Sequence, residues 1–552
     1  MRKIAALLAA PLLLAPAFCL AAASPAPAPA FDVQRFSQDV KTLSDDSFEG
    51  RAPATEGEKK TIAYIVERMR AAGLQPGGPA GKWTQNVPLL KSDIVGAPRL
   101  SLKSADGATR ALTQGEEIAV RAALTGQDRV DIASAPLVFV GYGVKAPERA
   151  WDDFKGADLK GKILVMLVND PDFEGGEGDF GGKTMTYYGR WTYKYEEGAR
   201  QGAAGVLVIH EYAPASYGWP TVKNSNTNTM FDIVRADPKA EHVPMEGWIQ
   251  RDLAVDLFKA AGLDFEAMKE AARKKDFRPV PLNATLDASY AVKAETITSY
   301  NVLGRLAGAK HPDETVIYSA HWDHLGVGQP DAKGDKIYNG ARDNASGVAA
   351  LLELARGFAG APRTDRSVVF LAVTAEEKGL LGSEYYAANP VYPLATTAGL
   401  INMDSILGEG AAKDFTISGV ARLGLLDLLV DQGRKLGRVY VPDPKTEAGG
   451  FYRSDHFPMA KVGVPAISFG GGIDLVDGGV KRGSELAAIY TRDRYHQPAD
   501  EWKADMDLSN VGPDLTLLYA TGRALADSRD WPGWSPEAEF KAKRDETAAQ
   551  RK

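Results

Sequence analysis

The spacing of apolar residues along the chain changes character twice. Near the start, Ile62, Ile65, Val66 and Met69 recur at helical intervals, and Thr55 with Glu58 is placed as a capping box. Gly73 ends the pattern, so a helix is expected over 55–72. From about Lys91 the apolar runs become short and are separated by Gly, Pro and Asp. Strands are expected at 136–140, 163–168 and 206–209, with a helix over 193–203 before the last of them. This stretch, up to about Tyr290, holds few metal-binding side chains and reads as a separate lobe. After Ser299 the alternation becomes regular. Strand-like runs at 302–306, 315–320, 367–373, 400–403 and 464–469 are interleaved with helical patterns at 345–358, 380–388, 423–436 and 508–525. Strands alternating with helices predict an α/β sheet covered on both faces, a three-layer α/β/α arrangement with a mixed central sheet. The last residues, 536–552, are highly charged and are expected to fray.

The side chains with chemistry to offer stand at the C-terminal ends of those later strands, where open α/β sheets place ligands. One strand runs into His321, Asp323 and His324. Asp343 precedes a helix, Glu376 and Glu377 follow a strand, Asp404 follows another, and Tyr495-His496 comes after a Gly-rich stretch read as loop. Taken singly, each has an ordinary reading: a core histidine, a helix cap, a charged helix start, a strand-end turn. Five at matching topological positions point to metal. Zinc accepts imidazole nitrogen and carboxylate oxygen, and a paired-metal centre needs one carboxylate shared by both ions. Five ligands divide into one bridge and two more for each ion, and adjacent Glu376 and Glu377 offer one ligand and one general base.

Charge and cysteine content narrow the setting. The formal net charge is -7, which disfavours nucleic acid or an anionic membrane as a partner. Arg2 and Lys3, an apolar run over 4–20 and the small residues Ala21, Ala22 and Ala23 read as a signal peptide over 1–23. The expectation is an exported protein, periplasmic or secreted, with no stable membrane insertion after cleavage. Residues 24–30 alternate Pro and Ala as a spacer. Cys19 is the only cysteine and lies in that leader. A metal site in the mature chain therefore rests on His and carboxylates.

Taken in order, the segments AHWDHLG, GARDNASG, TAEEKGLLGS, NMDS, SDHFPM, VGVPAISF and YHQPAD resemble the secreted di-zinc aminopeptidases of metallopeptidase family 28, which also contains glutamate carboxypeptidase II. The resemblance covers about 31–90 and 295–525. It implies two Zn2+ ions per chain, with His321 and Asp404 on one, Glu377 and His496 on the other, and Asp343 between them. It further implies Glu376 as general base, Asp323 hydrogen bonded to the second nitrogen of His321, Tyr495 steadying an oxyanion, and a cis peptide at Asp343-Asn344. The segments DLKGKILVMLVND and YEEGARQGAAGVLVIHE are similar to a protease-associated (PA) domain.

The organisation expected is 31–95 and 295–530 for the peptidase, an inserted lobe at 96–294 with its β-rich, PA-like part at 120–290, and a charged tail at 531–552. The function implied is an aminopeptidase acting on peptides with a free N-terminus. The alternatives are a carboxypeptidase or dipeptidase of the glutamate carboxypeptidase type, and a silent receptor-like binding protein, which the complete ligand set disfavours. Glutaminyl cyclases, which share the fold, resemble single-zinc sites. His324 is read either as a brace for the site or as exposed, His456 as part of a nearby loop, and Arg342 and Arg453 either as attracting a substrate carboxylate or as surface salt-bridge formers. Oligomeric state is not readable.

Overall fold

The computed structural model describes residues 29–175 and 178–551. The stretch read as a signal peptide and most of the Pro/Ala spacer lie outside the described residues. In chain order, the elements that position the site begin with helices α1 (Val33–Leu43) and α2 (Glu56–Ala71) and strand β1 (Thr84–Lys103). The lobe follows: β2 (Ile118–Val120), β3 (Arg129–Phe139), β4 (Ile163–Leu167), α3 (Trp191–Arg200), β5 (Gly205–His210), α4 (Trp219–Asn226) and β6 (Met245–Gln250). The chain returns through β7 (Val280–Leu306) to β8 (His311–His321), α5 (Ser346–Ala359), β9 (Arg366–Val373), α6 (Leu381–Ala388), β10 (Thr397–Met403), β11 (Asp414–Ile417), β12 (Ala466–Gly471) and α7 (Val511–Asp527).

The main sheet runs β11-β12-β10-β8-β9-β7-β3-β4-β5-β6-β2. Strands β12, β10, β8 and β9 are mutually parallel, and β7 joins β9 antiparallel. Alternate residues of the parallel strands enter different cores. Val316, Tyr318, Val368 and Phe370 pack on one side with α5 and α7, whereas Ile317, Val369 and Leu371 pack on the other with α6. Burial on both faces is why β9 is apolar without a break from Val368 to Val373, and all eight of its residues are buried.

The lobe repeats this design, with β3, β4, β5 and β6 parallel and two apolar clusters on opposite faces. It carries more helix than a β-rich lobe was expected to. Nor do its borders coincide with strand ends. β1 and β7 pair antiparallel from Asn86↔Tyr300 in the peptidase part to Lys103↔Thr285 in the lobe, so 95/96 and 294/295 both fall inside continuous strands.

Three local expectations change. In the capping box, Thr55 Oγ1 accepts from Glu58 N at 3.3 Å, but the Glu58 carboxylate accepts from Ala54 N and from Ser299 Oγ at 2.6 Å. It is drawn to a strand neighbour as well as to the helix start. The stretch before Tyr495 is a helix, Gly479–Asp493, not a loop; only Gly483 in it is buried. The charged tail is packed, because Phe540 stacks on Phe451 at 5.7 Å and meets Trp534 at 5.0 Å. Among the described residues no helix is long and apolar enough to cross a membrane.

Candidate metal centre

Strand ends and one tight turn deliver the cluster. His321 closes β8, Glu376 and Glu377 follow β9, and Asp404 follows β10 directly. Asp343 sits just before α5, in a turn whose Asp343-Asn344 peptide is cis. The Asn344 amide ties that turn to the Asp404 loop. Its Oδ1 accepts from Gly347 N at 2.9 Å and Ser405 N at 3.1 Å, and its Nδ2 donates to Met403 O at 3.1 Å. Gly347 has to be glycine, since a Cβ there would lie 2.2 Å from Asn344 Oδ1 and 2.4 Å from Met403 O. Ala375, Ser405 and His496 adopt left-handed backbone, with φ of 53°, 59° and 56°. Such strain costs about 1–3 kcal/mol per residue and collects at functional sites.

The five residues expected as ligands converge. His321 Nε2 stands 3.3 Å from Asp343 Oδ1 and 3.4 Å from Asp404 Oδ1. His496 Nε2 stands 3.3 Å from Asp343 Oδ2 and 3.1 Å from Glu377 Oε2. Two atoms bound tetrahedrally at about 2.0–2.2 Å from one ion are themselves about 3.3–3.6 Å apart, so these spacings suit a cation better than direct contact. His321 Nε2 and Glu377 Oε1 are buried with no aligned hydrogen bond. The donor set fits zinc: two groups, His321-Asp343-Glu377 and His321-Glu376-Asp404, each gather ligand atoms within 4.8 Å.

Electrostatics tell the same story. Burial alone would strip His321 and His496 of their protons, but the surrounding carboxylates outweigh it, raising His321 well above the usual imidazole range and His496 to about 9. Burial would likewise raise Asp343, yet the facing imidazoles hold it well below the usual carboxylate range. Protons here do the work that a cation would do. Glu376 differs. Burial, together with Asp455, Asp404 and Glu377, raises it well above normal, a carboxyl suited to carrying a proton.

The supports are only partly those expected. The Asp323 carboxylate accepts from the N–H groups of Glu376 and Glu377 at 3.0 and 3.4 Å. His321 Nδ1 reaches the Asp323 main-chain carbonyl at 3.2 Å and stands 3.8 Å from the carboxylate. Asp323 therefore orients the imidazole through its backbone while its side chain holds the double-glutamate turn. Tyr495 packs on His496 with ring centroids 3.9 Å apart, and its hydroxyl accepts from Arg453 Nη2 at 3.3 Å. Arg453 is not a surface salt-bridge former, since its guanidinium lies over the Tyr217 ring at 5.2 Å in the cavity wall. Arg342 pairs with Glu409. His324 is buried, with Nδ1 2.5 Å from Glu377 Oε1, which removes the exposed reading. His456 is packed against Phe451 at 4.9 Å, and burial lowers its pKa to about 3, leaving it neutral.

Sequence reasoning missed several supports. Asp500 accepts from Asp343 N at 3.0 Å, and Ser454 Oγ donates to Asp404 Oδ2 at 2.8 Å. Both lie in motifs already quoted, so their position was a signal. Buried Arg51 donates to the carbonyls of Leu43, Trp322, Asn339 and Gly340 and ties the loops behind the cluster. Nothing local marks it. The cluster opens on a cavity of about 650 Å3, shared between the peptidase part and the lobe and lined by Arg190, Tyr217, Trp248, Arg453 and Tyr495 among others.

Residues 301–512 match the family model described as Peptidase family M28. A probable zinc metalloprotease of Pyrenophora teres f. teres is 37% identical over 21% of this chain and 24% of its own length. Aminopeptidase YwaD of Bacillus subtilis is 38% identical over 61% of this chain and 53% of its own. The chain thus spans about a quarter of the first relative and about half of the second. Among solved structures, an aminopeptidase from Aneurinibacillus sp. strain AM-1 shares the fold, with a TM-score of 0.54 over 90% of this chain and 94% of that one at 19% identity. Residues 301–512 are therefore the part of this chain that is similar to peptidase family M28.

Proposed function

We propose that the protein is an exported, zinc-dependent aminopeptidase holding two ions. His321 and Asp404 would ligate one, Glu377 and His496 the other, with Asp343 between them. One observation carries this reading: the two oxygens of the Asp343 carboxylate face different imidazoles, Oδ1 towards His321 and Oδ2 towards His496, each at 3.3 Å. Bound zinc would supply Lewis acidity, polarising the scissile carbonyl and acidifying water. Glu376 would take the proton from the attacking water and hand it to the leaving amine. Its raised pKa comes first from burial and then from the neighbouring carboxylates, whose charge bound zinc would offset. Tyr495 OH, beside His496 in the cavity wall, would donate to the developing oxyanion. The cavity, lined by aromatic side chains such as Tyr217 and Trp248 together with charged ones, has room for a peptide end, and the leader over 1–23 supports export.

The test is a set of peptides with free, N-acetylated and C-amidated ends, followed by mass spectrometry before and after chelation. Stepwise loss from free N-termini, blocked by acetylation and by chelation, is expected.

A second reading, a carboxypeptidase or dipeptidase, is favoured by Arg190. This buried guanidinium lines the cavity, its Nε has no hydrogen-bond partner, and burial and then Arg453 lower its pKa to about 10. Two neighbouring cations in a cavity wall suit a substrate carboxylate. Loss of cleavage on C-amidation, with N-acetylation tolerated, would move the function there.

A further inference from the structure

The two halves of the cluster are not braced alike. His321 and Asp404 are held from within the peptidase part. His321 Nδ1 meets Asp323 O at 3.2 Å, and Ser454 Oγ, which accepts from Asn402 Nδ2 at 2.7 Å, donates to Asp404 Oδ2 at 2.8 Å. His496 is held from outside. With its Nε2 turned towards Asp343 and Glu377, its Nδ1 faces Ser225 Oγ at 2.8 Å, and its carbonyl accepts from Asn224 Nδ2 at 2.9 Å. Both partners belong to α4 of the lobe, more than 270 residues earlier in the chain.

The same segment grips the other arm of that half. Lys378, next to Glu377, buries its ammonium against the lobe and donates to Ser225 O at 3.2 Å and Asn228 Oδ1 at 2.6 Å. The segment is itself fixed to the lobe. Trp219 Nε1 donates to Gly115 O at 2.9 Å, and Val222 is buried.

We infer that residues 224–228 of the lobe are a built-in part of one metal position, with Ser225 as the positioning residue for His496, so that the lobe sets the affinity of one ion and leaves the other untouched. The inference rests on the two-ion reading above. Its physical basis is general. An imidazole bonded through its far nitrogen has its tautomer and ring plane fixed, and losing such a partner costs about 10–100-fold in metal affinity. A serine hydroxyl accepts Nδ1–H and so leaves Nε2 unprotonated and free to ligate. Ser225 fills this role for His496, as the Asp323 carbonyl does for His321. The difference is that Ser225 arrives on helix α4 of the lobe, far from His496 in sequence. A displacement of the lobe would therefore be felt at Glu377 and His496 while His321 and Asp404 stayed in place.

The experiment is zinc titration of the full chain against a chromophoric chelator, which needs no turnover. The unsubstituted protein should take two ions. Ser225→Ala should weaken one of them about 10–100-fold, Ser225→Thr should restore it by returning the hydroxyl, and Asn228→Ala should weaken the same ion. Two backgrounds locate the effect. With His321→Ala, the remaining ion should still lose about 10–100-fold on adding Ser225→Ala. With His496→Ala, adding Ser225→Ala should change nothing. Wild-type affinity for both ions in Ser225→Ala, or an equal loss in the His496→Ala background, would overturn the inference and leave the function standing. Fewer than two ions on the unsubstituted protein would remove the reading beneath it, and the inference with it.

Discussion

The peptidase part and the lobe are built on the same plan, parallel strands with both faces covered, and both end their strands in polar residues. What differs is whether those residues are satisfied. In the lobe, β4 leads into Asn169 and Asp170. Asn169 Nδ2 donates to Pro214 O and Glu447 O at 3.1 and 3.0 Å, and Asp170 accepts from the N–H and hydroxyl of Thr186, each at 2.9 Å. His210, closing β5, has its Nε2 on Tyr217 O at 2.9 Å. In the peptidase part, His321 closes β8 with Nε2 buried, unbonded and faced by two carboxylates. Polar atoms at strand ends are therefore not a site in themselves. A site forms where several converge and the fold leaves their ligating atoms unused.

This comparison can be broken or sharpened by experiment. The largest effect is expected from metal removal. Chelation should abolish peptide cleavage and zinc should restore it, whereas activity surviving in the metal-free protein would return the peptidase strand ends to the same standing as those of the lobe. Next, Glu376→Gln should lower kcat by about 10²–10⁴-fold with zinc content unchanged, measured by steady-state kinetics and metal analysis. A fall in zinc content instead would make Glu376 a ligand rather than a proton carrier. Arg51→Met should cost about 3 kcal/mol in denaturant unfolding, because it strands buried carbonyls behind the cluster. Smallest of all, His210→Phe should cost about 1 kcal/mol and leave zinc content as it was. Loss of zinc there would mean that the lobe's strand ends also serve the site.

Much of the peptidase part was legible because burial on both faces of a parallel sheet leaves plain apolar runs, and the groups at their ends are few and chemically distinct. The elements at 315–320, 367–373 and 400–403 appear as β8, β9 and β10 with His321, Glu376, Glu377 and Asp404 at their ends. What stayed hidden has physical reasons. Helix Gly479–Asp493 follows a glycine-rich stretch and buries only Gly483, so the glycines outweigh the helical spacing of Leu486, Ala487 and Tyr490. Arg51 acts through its guanidinium on carbonyls up to 289 residues away, and a lone arginine in a loop does not advertise that. Ser225 matters only because folding brings it to a histidine 271 residues later in the chain. The lobe's borders follow composition shifts near Lys91 and Ser299, whereas the β1–β7 pairing continues across them with a register shift between Ser289 and Ala291 that composition does not reveal.

That pairing bears on how such a protein is inherited. An exchange of the lobe between relatives must cut two strands at matched positions, for instance beside the Ser92↔Ala294 pair. A slip of one residue in either cut would turn every inward side chain outward. A one-residue insertion or deletion in the ribbon should therefore disrupt the core more than a two-residue one, and an exchange that keeps the lobe with its stem should disrupt it least.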